Sequence, residues 1–483
     1  MVPATASGYG AGTVRPMRSP FSKPSTRALI VLALSATAAL AGFGPFALPA
    51  QPQKPVAVAA PSASGLAGPS ASGLAGQPAT PPTSPPASPS PTASPPRVVA
   101  TTRAPIQPAL PVTAPVSGTP ATRAALSLRL DSLRARYGLP GVSAAILFAD
   151  GSMWRGTSGE ADVEASRPVT PDTAFAVASI SKTFLAALIL ALAEEGQIDL
   201  ETPVTSYLPT LAIDPAITVR QLLDHTSGLH DYFYAPDIDA ALLIDRERVW
   251  TAEDALGYVG KPYFKPGRGW HYSNTNYLVL GMLAEEIGGR PLATQFRARF
   301  LGPLGLDRTR YQSVEEPRGP VARAYRFNGP DLDLPPIPLG DGTAVVPFTS
   351  VVTAAGSAGS IASTARDLVI WARALYEGTV LSPASRFAMV ADIEVTASFK
   401  PTIPYGLGVQ AATIDGRRTL GHSGRLLGSR SVVRWLPDER IAIAVLTNQS
   451  RADPNIIARA LLQTVLGTVL GTAPECAGCP PPN

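Results

Sequence analysis

The sequence predicts an α+β fold, an α/β sandwich in which one antiparallel sheet is built from both ends of the folded region and a mostly helical stretch is inserted between them. Three observations carry this. Gly141 to Phe148, the turn Asp150-Gly151 and Ser152 to Gly156 read as a strand hairpin near the start. Ser431 to Leu436 and Arg440 to Leu446, around Pro437-Asp438-Glu439, form a second strand pair near the end. Between them the apolar periodicity is helical.

The individual elements follow the same logic. Leu126, Leu130 and Leu133 recur at helical spacing over 122–137, and Gly138 stops the run. Thr183 to Ala193 is apolar nearly all round, hence a buried helix, ended at Gly196. Short helical signals cover 218–224 and Tyr277 to Ile287, the latter closed by Gly288-Gly289. A last helix runs from Pro454 to Leu466. Residues 120–471 are long enough for one domain with a substantial core.

What precedes that region differs in composition. Of the 483 residues, the first 130 contain nine Lys/Arg and no acid, while the remainder has 31 Lys/Arg against 36 Asp/Glu. The net charge of +4 therefore describes a leader and linker, and gives the folded part no reason to bind nucleic acid. Residues 1–50 have a basic start (Arg15, Arg18, Lys23, Arg27), an uncharged apolar run from Ala28 to Gly42 and the small-residue site Ala39-Leu40-Ala41. They are expected to export the chain, either as a cleaved signal peptide or as an uncleaved anchor through residues 28–50, and membrane contact is expected only there. Residues 51–119 are rich in Pro, Ala, Ser and Thr and repeat the octapeptide PSASGLAG at 61–68 and 69–76. Too few large apolar side chains are present to offset the ordering entropy, so a disordered linker is expected, a reach-giving tether or a plain spacer. The tail, 472–483, holds both cysteines, Cys476 and Cys479. One CxxC is half of a paired zinc site, so a dispensable tail with no metal is the reading.

The chemistry centres on Ser179-Ile180-Ser181-Lys182, the sole Ser-x-x-Lys of the chain, at the mouth of the apolar helix. Positions i and i+3 share a helix face, so Lys182 reaches the Ser179 hydroxyl. A helix N-terminus favours a developing oxyanion, and burial lowers a lysine's pKa toward that of a base. The bland alternative is a buried helix with a lysine at its mouth. Tyr272-Ser273-Asn274 follows Pro266-Gly267 and precedes a helix, a place where polar side chains face a cleft. There Tyr272, its phenol pKa lowered by a nearby lysine, is a candidate general base, and Asn274 a partner of Lys182. His422-Ser423-Gly424 lies between Gly421 and Gly428, ahead of the strand 431–436. A Gly-flanked edge there lets a substrate backbone lie alongside Ser423 and Gly424, with the amides of Ser179 and Arg425 as oxyanion hole and His422 as donor or positive charge near Tyr272. His225 and His230, in His-Thr-Ser-Gly-Leu-His, read as a structural turn. Arg417, Arg418, Arg425 and Arg430 are either carboxylate holders or ordinary surface arginines.

Ser-x-x-Lys, Tyr-x-Asn and His-x-Gly in this order resemble the three motifs of the class C β-lactamase and D-alanyl-D-alanine carboxypeptidase family. The flanking text agrees: LLDHTSGL at 222–229, FKPGRGWHYSNTNYLVLG at 264–281, SAGSIASTARDL at 357–368 and GHSG at 421–424. The resemblance implies a penicillin-binding serine hydrolase fold with a β-lactamase/transpeptidase-like cleft. It also implies Ser179 as nucleophile, Lys182 and Tyr272 as base system, Asn274 as orienting residue and His422 as lining, with no cofactor. The implied partners are a peptidoglycan stem peptide, a β-lactam or an ester. Class C β-lactamases usually carry Lys-Thr-Gly where this chain has His422-Ser423-Gly424, a departure toward the carboxypeptidase- and esterase-like branches. A different class, a catalytically silent cell-wall binding or sensor module, would be marked by a lost nucleophile or base, and Ser179, Lys182, Tyr272 and Asn274 are all present.

Overall fold

The computed structural model describes residues 118–467, save 313, 327–335 and 379. The expected leader, most of the linker and the Cys476–Cys479 tail lie outside the described residues. A seven-stranded antiparallel sheet runs in the order Arg167–Pro168, Met153–Asp162, Gly141–Leu147, Ile441–Thr447, Ser429–Leu436, Arg417–Leu426, Gln410–Ile414. Its centre is where the two ends of the region meet, with Val142 opposite Thr447 and Leu147 opposite Ala442. The fold is α+β, as the strand pairs at both ends imply.

The hairpin turns where Asp150-Gly151 stands. The Asp150 carboxylate accepts from the Ser152 amide at 2.8 Å, and Gly151 takes φ 85°, a left-handed value that glycine adopts without strain. The return strand continues to Asp162, beyond the expected Gly156, because the pairing holds through Gly141↔Gly159.

Every residue of the two central strands is buried, which requires cover on both faces. Alternation divides them. Val142, Ala144, Ile146, Ile443 and Val445 pack on Leu126, Leu130 and Leu133 of the Pro120–Arg136 helix and on Ile457 and Leu461 of the Pro454–Leu466 helix. Ala145, Leu147, Ala442, Ala444 and Leu446 join the larger core around the helices Ser181–Glu194, Asn274–Gly288 and Ala365–Glu377. The first helix begins as its sequence directs, with Thr119 capping the Thr122 amide and Pro120 in the first turn.

The helix that carries Lys182 buries every residue from Ser181 to Leu192, so it is a central pillar of the helical layer. The Asn274–Gly288 helix packs beside it and ends at Gly289, φ 61°, in the left-handed C-cap conformation.

The His422-Ser423-Gly424 segment departs from expectation. It lies inside the strand Arg417–Leu426, paired with its hairpin partner through His422↔Val433, Ser423↔Val432 and Gly424↔Ser431. The outer strand Gln410–Ile414 pairs only with 417–421. Beyond Gly421 the other edge has no strand partner among the described residues, and this half of the strand passes the Ala178–Ile180 turn.

Candidate active site

Ser179 sits in a single 3₁₀ turn, Ala178–Ile180, that feeds the Ser181–Glu194 helix. The turn is held from several sides. The Val177 amide donates to the Ile361 carbonyl at 3.0 Å, and the Val177 carbonyl accepts from Ser431 Oγ at 2.7 Å. Ser181 Oγ donates to the Ala178 carbonyl at 2.6 Å and accepts from the Ile361 amide at 3.1 Å. These bonds maintain Ala178 at φ 50°, a left-handed conformation that a residue with a Cβ adopts only at a cost on the order of 1 kcal/mol.

Lys182, fully buried, places its Nζ 3.2 Å from Ser179 Oγ, 2.8 Å from Asn274 Oδ1 and 2.8 Å from the Ala358 carbonyl oxygen. Desolvation lowers its pKa from 10.5 to about 7, against the opposing pull of Asp231. The geometry suits the neutral amine. Asn274 Oδ1 and the Ala358 carbonyl have no hydrogen to give, so they take the two N–H bonds, and the lone pair is left for the Ser179 hydroxyl. Lys182 Nζ also lies 5.0 Å from the centre of the Tyr272 ring and 5.3 Å from that of Tyr277.

Tyr272 corrects the sequence reading. Burial drives its phenol pKa well above the ordinary value; Ser179 nearby only partly opposes this, and the carboxylate of Asp231 adds to it. The expected lowering by lysine does not occur, because Lys182 is itself driven toward the neutral form. The Tyr272 hydroxyl is buried near Ser179 yet makes no hydrogen bond within normal geometry to any described group. It is a proton donor at neutral pH. Its loop is clamped by His225, whose carbonyl accepts from the His271 amide at 3.1 Å and whose Nδ1 accepts from the Ser273 amide at 3.2 Å. The ring of His225 lies 4.3 Å from that of Tyr272. The motif reading of His225 as a turn residue missed this support. His230, the other histidine of that motif, accepts from the Gly260 amide at Nδ1, 3.1 Å.

His422 is also corrected. Its ring is buried, with Nδ1 2.6 Å from the Ser423 carbonyl and Nε2 3.0 Å from the Tyr405 hydroxyl. A carbonyl only accepts, so Nδ1 carries the proton and Tyr405 donates to Nε2. Burial and the neighbouring Lys182 hold its pKa well below the usual value. His422 is a neutral wall of the cleft and supplies neither a charge nor a spare donor to Tyr272. Ser423 points to the other side of the sheet: its hydroxyl accepts from Arg434 Nη2 at 2.9 Å and Asn455 Nδ2 at 3.3 Å, and its amide donates to Gln410 Oε1 at 3.0 Å. The Ser423 amide and both lone pairs of its hydroxyl are thus engaged by groups of the protein itself. Gly424 does what its smallness allows. A Cβ there would stand 2.1 Å from the Val177 carbonyl oxygen, so only glycine lets the strand pass this close to the nucleophile turn. Arg425 follows at a half-buried position on the same strand.

Two contributors were not read from sequence. The Ala358 carbonyl lies in the SAGS segment just after Gly356, whose φ of 45° and ψ of −136° break the Thr349–Gly359 helix. Asp231, directly after the His-Thr-Ser-Gly-Leu-His turn, accepts from Asn274 Nδ2 at 2.8 Å. The motif text covered both neighbourhoods, but no local pattern shows that either group reaches Lys182.

A serine and an uncharged-ready lysine, one turn apart and set between an antiparallel sheet and a helical layer, define a serine hydrolase. A family model described as Beta-lactamase matches residues 126–466, and the chain belongs to that family. It is 29% identical over 313 residues to "Penicillin-binding protein 4*" of Bacillus subtilis, covering 63% of this chain and 67% of that one. To "Penicillin-binding protein 4" of Amycolatopsis lactamdurans it is 30% identical over 335 residues, 66% of this chain and 84% of that one. Among solved structures, a D-stereospecific amidohydrolase from Streptomyces sp. aligns with TM-score 0.60 and 30% identity, over 74% of this chain and 100% of that chain. The fold is β-lactamase/transpeptidase-like.

Proposed function

We propose that the protein hydrolyses amide bonds through an acyl-enzyme on Ser179, acting as a D-alanyl-D-alanine carboxypeptidase on cell-wall stem peptides. The observation that carries this is Lys182, a buried amine with two fixed acceptors and its lone pair toward Ser179 Oγ. Lys182 takes the Ser179 proton as Oγ bonds to the carbonyl carbon. The amides of Ser179 and Arg425 stabilise the oxyanion. Tyr272, a phenol at neutral pH, protonates the leaving nitrogen as the C–N bond breaks, and the proton held by Lys182 restores it. Water then attacks the ester and the same groups act in reverse. The leader and linker fit an enzyme exported to the cell envelope and tethered there.

A second reading, a D-amino-acid amidase, is favoured by the likeness to the Streptomyces D-stereospecific amidohydrolase along that protein's whole length. Both readings share the same acyl-enzyme and differ in what stands beyond the D-residue. Incubation with a penicillin followed by intact-mass spectrometry tests the shared step. We expect a persistent adduct on the wild type and none on Ser179→Ala, with slow deacylation because His422 stands where efficient class C β-lactamases have lysine. Fast steady-state penicillin turnover would remove the carboxypeptidase reading. Release of D-Ala from a D-Ala-D-Ala peptide, set against release of ammonia from a D-aminoacyl amide, separates the two.

A further inference from the structure

Asp231 is a buried carboxylate, 1% exposed, that the reaction scheme above leaves without a task. Its two oxygens have different partners. Oδ1 accepts from the Phe233 amide at 3.1 Å and caps the short turn Tyr232–Tyr234. Oδ2 accepts from Asn274 Nδ2 at 2.8 Å. The segment around it is stitched to the start of the Asn274–Gly288 helix: Thr275 Oγ1 donates to the His230 carbonyl at 2.6 Å and accepts from the Tyr232 amide at 3.1 Å. Asp231 thus sits at a fixed distance from Asn274 for reasons independent of Asn274's side chain.

We infer that Asp231 is a positioning residue for the acylation step: its carboxylate holds the Asn274 amide with nitrogen turned to Asp231 and oxygen turned to Lys182. The inference rests on the proposed role of Lys182 as base. An amide has one accepting end and one donating end, and the two are nearly alike in shape. A carboxylate only accepts, so it selects the donating end and leaves the oxygen for Lys182. With the amide reversed, Asn274 would direct N–H bonds at the Lys182 nitrogen. The lone pair would then be drawn to Asn274 and away from Ser179. Oδ1 satisfies the Tyr232–Tyr234 turn, so that cap does not explain Oδ2, which meets the Asn274 side chain at 2.8 Å; the Asn274 backbone amide also interacts with the carboxylate.

Asp231 also faces Lys182 electrostatically and raises its pKa. The other titratable groups disposed about Lys182 are His225 and His422, both held neutral by burial, and Tyr272 and Tyr277, both held as phenols. Asp231 is the acidic member of this set: burial raises its own pKa, and the Asn274 and Phe233 amides, the charge of Lys182 and the Asn274 side chain oppose that rise.

The test uses the full chain with a penicillin and a p-nitrophenyl ester as acyl donors, and compares Asp231→Asn, Asn274→Ala and the double variant. An Asn at 231 can still cap Phe233 but no longer forces the Asn274 amide one way. We expect acylation by either donor to fall about 10- to 100-fold in Asp231→Asn, as when an outer partner of a reacting group is removed, with little change in Tm. The acid limb of the pH profile should move to lower pH, since a charge that raises the Lys182 pKa is gone. In the Asn274→Ala background the same substitution should change the rate less than about 3-fold, because its route of action is already absent. Asp231→Ser, which also caps a turn, replaces the Asn variant if that does not fold. Full additivity of the two substitutions, or wild-type kinetics in Asp231→Asn, overturns the inference while leaving Ser179 and Lys182 in place. A wild type that neither donor acylates overturns the reading on which the inference rests.

Discussion

Lys182 works as a base only after its own proton has left, and that fixes the sign of the pH dependence. With its pKa lowered by burial to about 7, the amine is increasingly protonated below that pH. We expect kcat/KM for a D-aminoacyl substrate to fall as pH drops through about 7, with no matching fall in folded fraction. A flat profile from pH 5 to 8 would exclude Lys182 as the base. The same core holds a second perturbed group with a different consequence. Asp224 is buried against Asp392, and burial raises its carboxyl pKa to about 7 although it accepts from the Thr226 amide and hydroxyl at 2.9 and 2.6 Å. Between pH 4 and 7 the folded state keeps a proton that the unfolded state releases, so stability declines with rising pH over that window. Asn keeps the accepting oxygen without the charge. Asp224→Asn should therefore raise Tm more at pH 8 than at pH 4. Equal shifts at both pH values would mean that folding does not raise the Asp224 pKa.

The site depends on two elements meeting without a side chain between them. The nucleophile turn is fixed by Val177 and Ser181, and the strand Arg417–Leu426 passes it where Gly424 stands. Gly424→Ala places a Cβ 2.1 Å from the backbone oxygen of Val177 and 2.3 Å from Ser431 Oγ, a short side chain that is itself bonded to that oxygen. The strand or the turn must shift by about an ångström, a displacement that costs on the order of 100-fold in rate when it falls on reacting groups. Acylation by a penicillin should drop by that order with the fold retained by circular dichroism. Undiminished acylation would show that the strand edge does not set the position of Ser179. This contact also marks what sequence pattern could convey. The Ser-x-x-Lys and Tyr-x-Asn spacings placed Ser179, Lys182 and Asn274 on helix starts, and the structure brings these three together. The His-Ser-Gly segment was legible as part of the cleft, but not as a strand interior, because its Gly421, Gly424 and Gly428 mimic a loop. The charge states of Tyr272 and His422 were misread for a different reason: burial sets both, and burial belongs to the assembled fold. Asp231 carried no periodic signal at all, since its partner is 43 residues away.

At the scale of the whole molecule the sheet separates chemistry from one half of its support. The face that receives Leu126, Leu130, Leu133, Ile457 and Leu461 is distinct from the face whose core contains the Lys182 helix. The strands at both chain ends made this arrangement readable in outline: Ile441–Thr447 must find a partner to bury its seven residues, six of them apolar, and Gly141–Leu147 is one of the strands it pairs with. Stability and catalysis should then be separable by choosing the face. Leu461, fully buried beneath the sheet, is the cleanest case. Leu461→Ala removes a branched side chain from a packed site and should cost about 2–5 kcal/mol in a urea melt. Among the described residues, the side-chain hydrogen bonds of Lys182 and Asn274 run to Ser179, Ala358 and Asp231 and not to the Pro454–Leu466 helix, whose start instead bonds Ser423 and Arg434 through Asn455. The single-turnover acylation rate, measured per folded molecule at low temperature, should therefore stay within about 2-fold of wild type, because distant substitutions with no shared partner act independently. A variant that loses acylation in proportion to its lost stability would show instead that the two faces are one cooperative scaffold, and that the position of Ser179 depends on packing throughout the core.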